Sequence, residues 1–374
     1  MPTEQVLYRK YRPQSFADVR GQDPVVRILS NALAMNRIAH AYLFSGPRGT
    51  GKTSVARIFA RAVNCADLAC DSPTGEEQSP NRASRRSVSE EGRLIPCNAC
   101  ESCAEFLSGR ALDLVEMDAA SNRGVDEVRA IREAAELLPM RANYKVYILD
   151  EAHMLTREAW NALLKLTEEP PPHVIFILAT TEPEKVPDTV QSRVQHLQFR
   201  LADEATLVRV LADAAKKEEM ALEPDAASML ALFAEGSFRD ALNLLGQAQA
   251  LCGNTITASV LEDFFGAPSK TALAEVASAL ALRDAKHAIE CAGQVFAKGS
   301  DPRLFLKLLI HQFRSQFLDA LRSGRVEKDA ANPFSAKELE TILRILLETA
   351  TERHYSGWRE LPIELALHRI VREL

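Results

Sequence analysis

Up to about residue 200 the chain alternates short apolar runs with longer stretches of helical periodicity. Ala41-Tyr42-Leu43-Phe44, Leu112 to Met117, Val146 to Leu149 and Val174 to Leu178 lack strict apolar–polar alternation and are bounded by polar or turn residues. That is the pattern of strands covered on both faces. Helices are expected between them: one follows Lys52 and runs to about Val63, and a second spans Val125 to Leu138, stopping before Pro139. A third, from about Arg157 to Glu169, is halted by Pro170-Pro171-Pro172. Strand–helix alternation predicts an α/β domain with a mainly parallel sheet over residues 1–200. Strand signals disappear from about Leu201. Residues 203–219, 224–235, 238–251 and 257–265 read as short helices broken at Gly236, Gly253 and Gly266, giving a helical domain over 201–267. The remainder, 268–374, is again helical, interrupted near Gly299 to Pro302 and from Gly324 to Pro333. No internal repeat is visible.

Length agrees with this division, since at about 150 residues per domain 374 residues predict two or three domains. Apolar residues make up 47%, enough for each domain to bury its own core, and 45 Lys+Arg against 51 Asp+Glu leave a net charge of −6. That balance excludes a basic arm that dominates the chemistry, though not a local DNA-binding face. The longest wholly apolar run in the central region, Val174 to Ala179, is far short of a membrane span. The first residues run into Arg9-Lys10-Tyr11-Arg12-Pro13 without an apolar core, so no secretory signal is expected. Seven cysteines without an even framework point to reduced thiols or metal, hence to a soluble, cytosolic chain. Residues 66–96 differ from the rest. They are rich in Ser, Pro and charge, and their four arginines are offset by six acids, so they read as a surface insertion.

Gly46-Pro47-Arg48-Gly49-Thr50-Gly51-Lys52-Thr53 matches G-x-x-x-x-G-K-[ST] in full, after a strand and before a helix. In such a loop the glycines let backbone N–H groups turn inward around phosphates, and the helix N-terminus adds partial positive charge. Lys52 is suited to the β/γ-phosphates of a nucleoside triphosphate, and the Thr53 hydroxyl to Mg²⁺. Downstream, Val146 to Leu149 ends in Asp150-Glu151-Ala152-His153, which puts two carboxylates at the sheet's C-terminal edge. Asp150 is the candidate for the Mg²⁺ shell and Glu151 for the group that orients and deprotonates the attacking water; His153 is read as structural. The next strand ends in Ala179-Thr180-Thr181, where a hydroxyl could meet the γ-phosphate or the water. Cys97-x-x-Cys100-x-x-Cys103 presents three thiolates on one short turn, with Cys65 or Cys70 available as a fourth. Four sulfurs suit structural, tetrahedral Zn²⁺. Cys252 and Cys291 lie in helical segments and read as core residues.

Taken together, these residues resemble the gamma/tau family of clamp-loader subunits of bacterial DNA polymerase III, within the AAA+ ATPases. The resemblance covers most of residues 1–250. It rests on Tyr8 to Val19 followed by Gly21-Gln22, on His40 to Gly46, on Asp118-Ala119-Ala120-Ser121-Asn122 and on Leu149 to Leu155. Asn161 to Lys165, Glu168-Glu169-Pro170-Pro171, Ala179-Thr180-Thr181, Ser192-Arg193 and Gly236 to Leu242 complete it. It implies a P-loop AAA+ domain with an inserted zinc module at about 65–104, a helical lid and a helical oligomerisation collar. It also implies ATP, Mg²⁺ and one Zn²⁺, with the Asn64-Cys65 position favoured for the fourth ligand.

Further roles follow from the resemblance alone. Arg193 would be an arginine finger for the ATP of a neighbouring subunit, which makes hydrolysis depend on assembly. Arg239 would be the lid's sensor arginine, and Ser237-x-x-Asp240 reads as a capping box ahead of it. Thr180 would be the first sensor, and Tyr11, Pro13 and Val19 would surround the adenine. The implied partners are delta, delta prime and further gamma/tau copies in a hetero-pentamer, the beta sliding clamp, and primed-template DNA within the replisome. Arg123, in Asn122-Arg123-Gly124, is the candidate DNA contact. Two positions depart from the family pattern: Val194 follows Arg193 where Cys is frequent, and Leu166-Thr167 stands where Thr-Leu is common.

Overall fold

The structure is a computed structural model that describes residues 6–66, 96–322, 333–351 and 358–374. Most of the expected insertion, the rival zinc ligand Cys70 and all of the expected break from Gly324 to Pro333 except Pro333 itself lie outside those residues. The chain divides into two compact units, Met1–Asn254 and Thr255–Leu374.

The first unit is built on a five-stranded sheet with the order β2-β3-β4-β1-β5, every pairing of which is parallel. The helix α1 (Leu7–Lys10) and then α2 (Asp23–Ala34) precede β1 (Ala41–Ser45), and α3 (Lys52–Val63) and α4 (Glu101–Leu107) follow it. Then come β2 (Leu114–Asp118), α5 (Val125–Ala135), β3 (Lys145–Asp150), α6 (Arg157–Glu168), β4 (Val174–Thr180), α7 (Asp188–Gln191) and β5 (Gln195–Gln198). Helices α8 (Glu204–Lys217), α9 (Pro224–Phe233) and α10 (Phe238–Cys252) close the unit. Strand parity assigns its two cores. Tyr42, Phe44, Val146, Ile148, Ile175 and Ile177 pack with Val55 and Phe59 of α3. Their neighbours Ala41, Leu43, Tyr147, Leu149, Val174, Phe176 and Leu178 pack with Trp160 and Leu163 of α6. Each strand therefore needs apolar residues at consecutive positions, which is why the runs do not alternate.

Four differences from the sequence reading have local causes. β5 has the polar sequence Gln-His-Leu-Gln and only Leu197 buried, because it is an edge strand paired with β1 alone. β2 begins at Leu114, leaving Leu112 exposed. α5 ends at Ala135, three residues before the expected stop, and Leu137, Leu138 and Met140 are exposed. α2 is a plain amphipathic helix burying Val25, Val26, Leu29 and Leu33 on one face, and that period was there to be read.

The second unit is helical among its described residues, apart from a two-residue strand at Thr255–Ile256. It comprises α11 (Ala258–Phe265), α12 (Lys270–Ala281), α13 (Ala285–Ala297), α14 (Pro302–Arg322), α15 (Ala336–Thr351) and α16 (Leu361–Glu373). Leu280, Phe305, Leu309, Phe313, Leu339, Ile342 and Leu367 centre its own core. Side chains cap its helices: the Ser269 hydroxyl accepts from Ala272 N at 3.2 Å and Asp284 Oδ1 from His287 N at 2.9 Å. Among the described residues no helix is long and apolar enough to cross a membrane.

Candidate nucleotide site and cysteine cluster

The loop from Gly46 to Gly51 joins the buried β1 to α3, and three of its residues have backbones that favour glycine: Gly46 at φ 137°, Gly49 at 77° and Gly51 at 99°. At Gly46 a Cβ would stand 2.3 Å from the Phe199 carbonyl oxygen, so the loop is pressed against the end of β5. Gln22, 2% exposed, fastens it from behind. Its side-chain amide donates to Thr50 O at 3.4 Å and to Arg200 O at 2.7 Å, while Arg200 N donates to its Oε1 at 3.2 Å. Thr50 Oγ1 donates to Pro47 O at 2.9 Å, and Arg48 is exposed at the tip.

Lys52 is 6% exposed, and its ammonium donates to Gly46 O at 2.6 Å and Pro47 O at 2.9 Å. Burial pushes its pKa down, opposed by the charges of Glu151 and Asp150. Thr53 Oγ1 donates to Asp150 Oδ2 at 2.8 Å, so the two residues expected at Mg²⁺ are in contact. Two oxygen donors, one anionic, at the start of a phosphate loop fit a hard divalent cation that also touches phosphate.

Glu151 has a left-handed backbone, φ 47° and ψ 44°, an arrangement that costs a non-glycine residue about 1–3 kcal/mol. Asp150 Oδ1 accepts from Glu151 N at 3.0 Å, holding that turn. The two strand-end threonines part company here. Thr181 Oγ1 donates to Glu151 Oε2 at 3.1 Å. Thr180 is fully buried, its hydroxyl 3.0 Å from His153 Nδ1 and accepting from Glu182 N at 3.0 Å. The hydroxyl beside the proposed base is therefore that of Thr181, whereas the sequence reading gave the sensor role to its neighbour Thr180. His153 Nε2 lies 3.1 Å from Glu182 Oε1, in keeping with a structural role.

Helix α10 meets the loop directly. Phe238 N donates to Gly49 O at 3.1 Å, and a Cβ on Gly49 would stand 1.9 Å from Ser237 Oγ. That hydroxyl accepts from Asp240 N at 3.2 Å, the expected cap. Arg239 is exposed, with its guanidinium 5.0 Å from the centroid of the Tyr8 ring. Tyr11 donates to Glu218 at the end of α8, and burial together with that bond pushes its phenol up to about 12. Val19 packs against the α3 core, whereas Pro13 lines a cavity of about 400 Å³ shared with Arg12, Arg57, Arg61 and Glu116. Arg193 lies on the surface after α7, 3.0 Å from Glu168 Oε1 and bonded to Thr189 O. Arg123 is exposed before α5, its carbonyl accepting from Thr156 N at 3.1 Å. Neither arginine stands with the loop residues.

The sulfurs of Cys65, Cys97, Cys100 and Cys103 lie within 4.8 Å of one another. Cys97 and Cys103 are 3.8 Å apart, close to the edge of a tetrahedron with metal–sulfur bonds of about 2.3 Å. Backbone N–H groups point at three of the sulfurs: Cys97 N at Cys65, Cys100 N at Cys97 and Cys103 N at Cys100, at 3.3–3.4 Å. The donor set fits zinc.

A parallel sheet in this order, carrying a phosphate loop on β1 and two acids at the end of β3, defines the P-loop AAA+ class. Residues 206–254 match the family described as DNA polymerase III clamp loader subunit, ATPase lid domain. Residues 21–90 and 80–203 match that described as DNA polymerase III, delta subunit. Over 385 residues the chain is 32% identical to DNA polymerase III subunit gamma of Buchnera aphidicola subsp. Schizaphis graminum, covering 99% of each. It is 36% identical to DNA polymerase III subunit tau of Bacillus subtilis over 98% of this chain and 63% of that protein. With subunit gamma/tau of Mycobacterium tuberculosis H37Rv it shares 42% identity over 82% of this chain and 50% of that protein. The chain belongs to the gamma/tau family of DNA polymerase III clamp-loader subunits. It spans 63% and 50% of the length of the Bacillus and Mycobacterium relatives.

Proposed function

We propose that this chain is an ATP-hydrolysing clamp-loader subunit that uses ATP to place the beta sliding clamp on primed DNA. The observation that carries the reading is the convergence at the phosphate loop. Lys52 is held inside the loop, Thr53 touches Asp150, and Glu151 is held by Thr181, with α10 hydrogen-bonded to Gly49. Lys52 neutralises the β/γ-phosphates, Thr53 and Asp150 hold Mg²⁺, and Glu151 takes a proton from the attacking water while Thr181 fixes its carboxylate. Mg²⁺, if held by Thr53 and Asp150, would supply charge stabilisation to the phosphates.

Residues 201–267 act as the lid and 268–374 as the collar. Arg239 reports the γ-phosphate in cis. Arg193, which stands apart from its own loop, serves the ATP of an adjoining subunit, within a hetero-pentamer with delta, delta prime and further gamma/tau copies. ATP binding at these interfaces favours the clamp-opening spiral, and primed DNA, touched by Arg123, completes the sites and triggers hydrolysis and release. Zn²⁺ on Cys65, Cys97, Cys100 and Cys103 is structural. The polymerase site belongs to another subunit of the holoenzyme.

The test is ATP turnover by the chain with its loader partners, without DNA, with clamp alone, and with clamp plus primer–template. Strong stimulation only by clamp with a primed junction is expected. Stimulation by plain duplex without clamp would replace this reading with that of a translocating motor.

A further inference from the structure

Arg61, on the last turn of α3, is 4% exposed and faces the cysteine cluster. Burial pushes its pKa down, while Cys103, Cys65 and Cys97 push it up. Among the described residues no carboxylate is ion-paired with it, and its Nε has no hydrogen-bond partner. A buried guanidinium without a counter-charge is unfavourable. Four metal-bound thiolates around one Zn²⁺ carry a net double negative charge and supply it.

The same guanidinium reaches in the other direction, where its Nη2 donates to the Gln14 carbonyl. Asn98, in the turn between Cys97 and Cys100, donates to that carbonyl too, at 3.2 Å, from a left-handed backbone of φ 56°. Gln14 begins a small self-bonded turn. Its N–H and the Ser15 hydroxyl donate to Asp18 Oδ2 at 3.2 and 2.7 Å, and Phe16 beyond it is 1% exposed in the α3 core. One carbonyl thus joins the cysteine knuckle, the helix that starts at the phosphate loop, and the segment that runs from Tyr11 to Val19.

We propose that Arg61 is a positioning residue that couples zinc occupancy of the four-cysteine cluster to adenine-nucleotide affinity, by clamping Gln14 and the segment around it. The proposal rests on the reading of the phosphate loop as an ATP site flanked by Tyr11, Pro13 and Val19. Zinc fixes the Asn98 turn and charges the cluster, so both donors on Gln14 are held in place. Loss of zinc removes the counter-charge of Arg61 and frees the turn. The segment then loosens, although no zinc ligand touches nucleotide.

The experiment uses the full chain and the variants Arg61→Gln, Arg61→Lys and Asn98→Ala. Zinc affinity is measured by competition with a chromogenic chelator, hydrogen exchange is followed over residues 12–18, and binding of a fluorescent ATP analogue is titrated. Arg61→Gln is expected to weaken zinc binding roughly 10- to 100-fold, as loss of an outer-sphere partner does. It should also speed exchange over 12–18 and weaken analogue binding several-fold. Arg61→Lys should recover zinc affinity, since it keeps the charge, without restoring slow exchange, since it lacks the fork. Asn98→Ala, a smaller change in case Arg61→Gln folds poorly, should speed the same exchange. Wild-type zinc affinity and exchange in Arg61→Gln, or a several-fold loss of zinc affinity with unaltered analogue binding, would overturn the coupling. Failure of the zinc-loaded wild-type chain to bind the analogue would instead refute the ATP site itself, and the coupling with it.

Discussion

The contact between α10 and the phosphate loop can be tested with two alanines. Gly51 and Gly49 both have positive φ, 99° and 77°, so replacing either forces an L-residue into left-handed backbone at about 1–2 kcal/mol. The surroundings differ. Nothing lies within 4 Å of a Cβ at Gly51, whereas at Gly49 it would sit 1.9 Å from Ser237 Oγ and 2.9 Å from Ser237 Cβ. Gly49→Ala must therefore push Ser237 aside. That loses the cap of α10, worth about 1 kcal/mol, and the bond from Phe238 N to Gly49 O, worth about 1 kcal/mol. Gly51→Ala should cost about 1–2 kcal/mol and Gly49→Ala about 3–4 kcal/mol. At roughly 2–4 °C per kcal/mol for a unit of this size, Gly49→Ala should melt several degrees below Gly51→Ala in a thermal scan of the nucleotide-free chain. Equal melting temperatures would refute the argument that α10 rests on Gly49.

Glu151→Gln should lower ATP turnover roughly 10²- to 10⁴-fold while nucleotide still binds. Thr181→Ala should cost roughly 10-fold or more, against little change for Thr180→Ser, and steady-state turnover beside analogue binding checks both. Arg193→Ala should leave turnover of the isolated chain unchanged and lower that of the assembled, clamp- and DNA-stimulated complex by about 10³-fold; an equal loss in both would remove the finger role. Asp113, 3% exposed, accepts from the backbone N–H groups of Met140, Arg141 and Ala142 at 2.8–2.9 Å. Burial alone would raise its pKa, but those bonds and Lys145 outweigh it and hold the carboxyl below its usual value. A depressed folded pKa adds stability that is complete above the unfolded value of about 3.9 and lost as pH falls through the folded one. Asp113→Asn should therefore be less stable at pH 7 and show a shallower loss as pH falls below about 4, and urea midpoints that superimpose at pH 7 and in acid would contradict this.

The central strands, the loop at Gly46 and the cysteine cluster were legible because each is local and constrained on every side. A doubly covered strand needs consecutive apolar residues, and Cys-x-x-Cys-x-x-Cys places its sulfurs within one turn. β5 was not legible, since an edge strand of polar residues leaves no apolar signature, and its register comes from β1 rather than from its own side chains. The end of α5 was missed for the opposite reason. Leu137 and Leu138 continue the helical period, yet the three backbone bonds to Asp113 fix the chain just beyond them and the helix stops first. Gln22 was visible only as part of a resemblance. Its work depends on Thr50 and Arg200, the latter 178 residues away in sequence, and no spacing rule brings those together.

Thr181 is different, because the sequence held part of the means of choosing it. Side chains alternate along a strand, and the α3 face of β4 carries Ile175 and Ile177, while the α6 face carries Val174, Phe176 and Leu178. Continued by parity, Thr180 falls on the α6 face and Thr181 on the α3 face. In β3 the same count puts Val146 and Ile148 toward α3 and so carries Asp150 there, where it meets Thr53. Thr53 and Asp150 meet on the face that α3 covers, because the phosphate loop opens into α3. Glu151 itself follows the end of β3 in a left-handed turn, so strand parity does not fix its carboxylate, and Thr181 Oγ1 reaches it from β4's end at 3.1 Å. Thr180, on the other face, instead meets His153, and burial makes a hydrogen-bonding partner there a necessity.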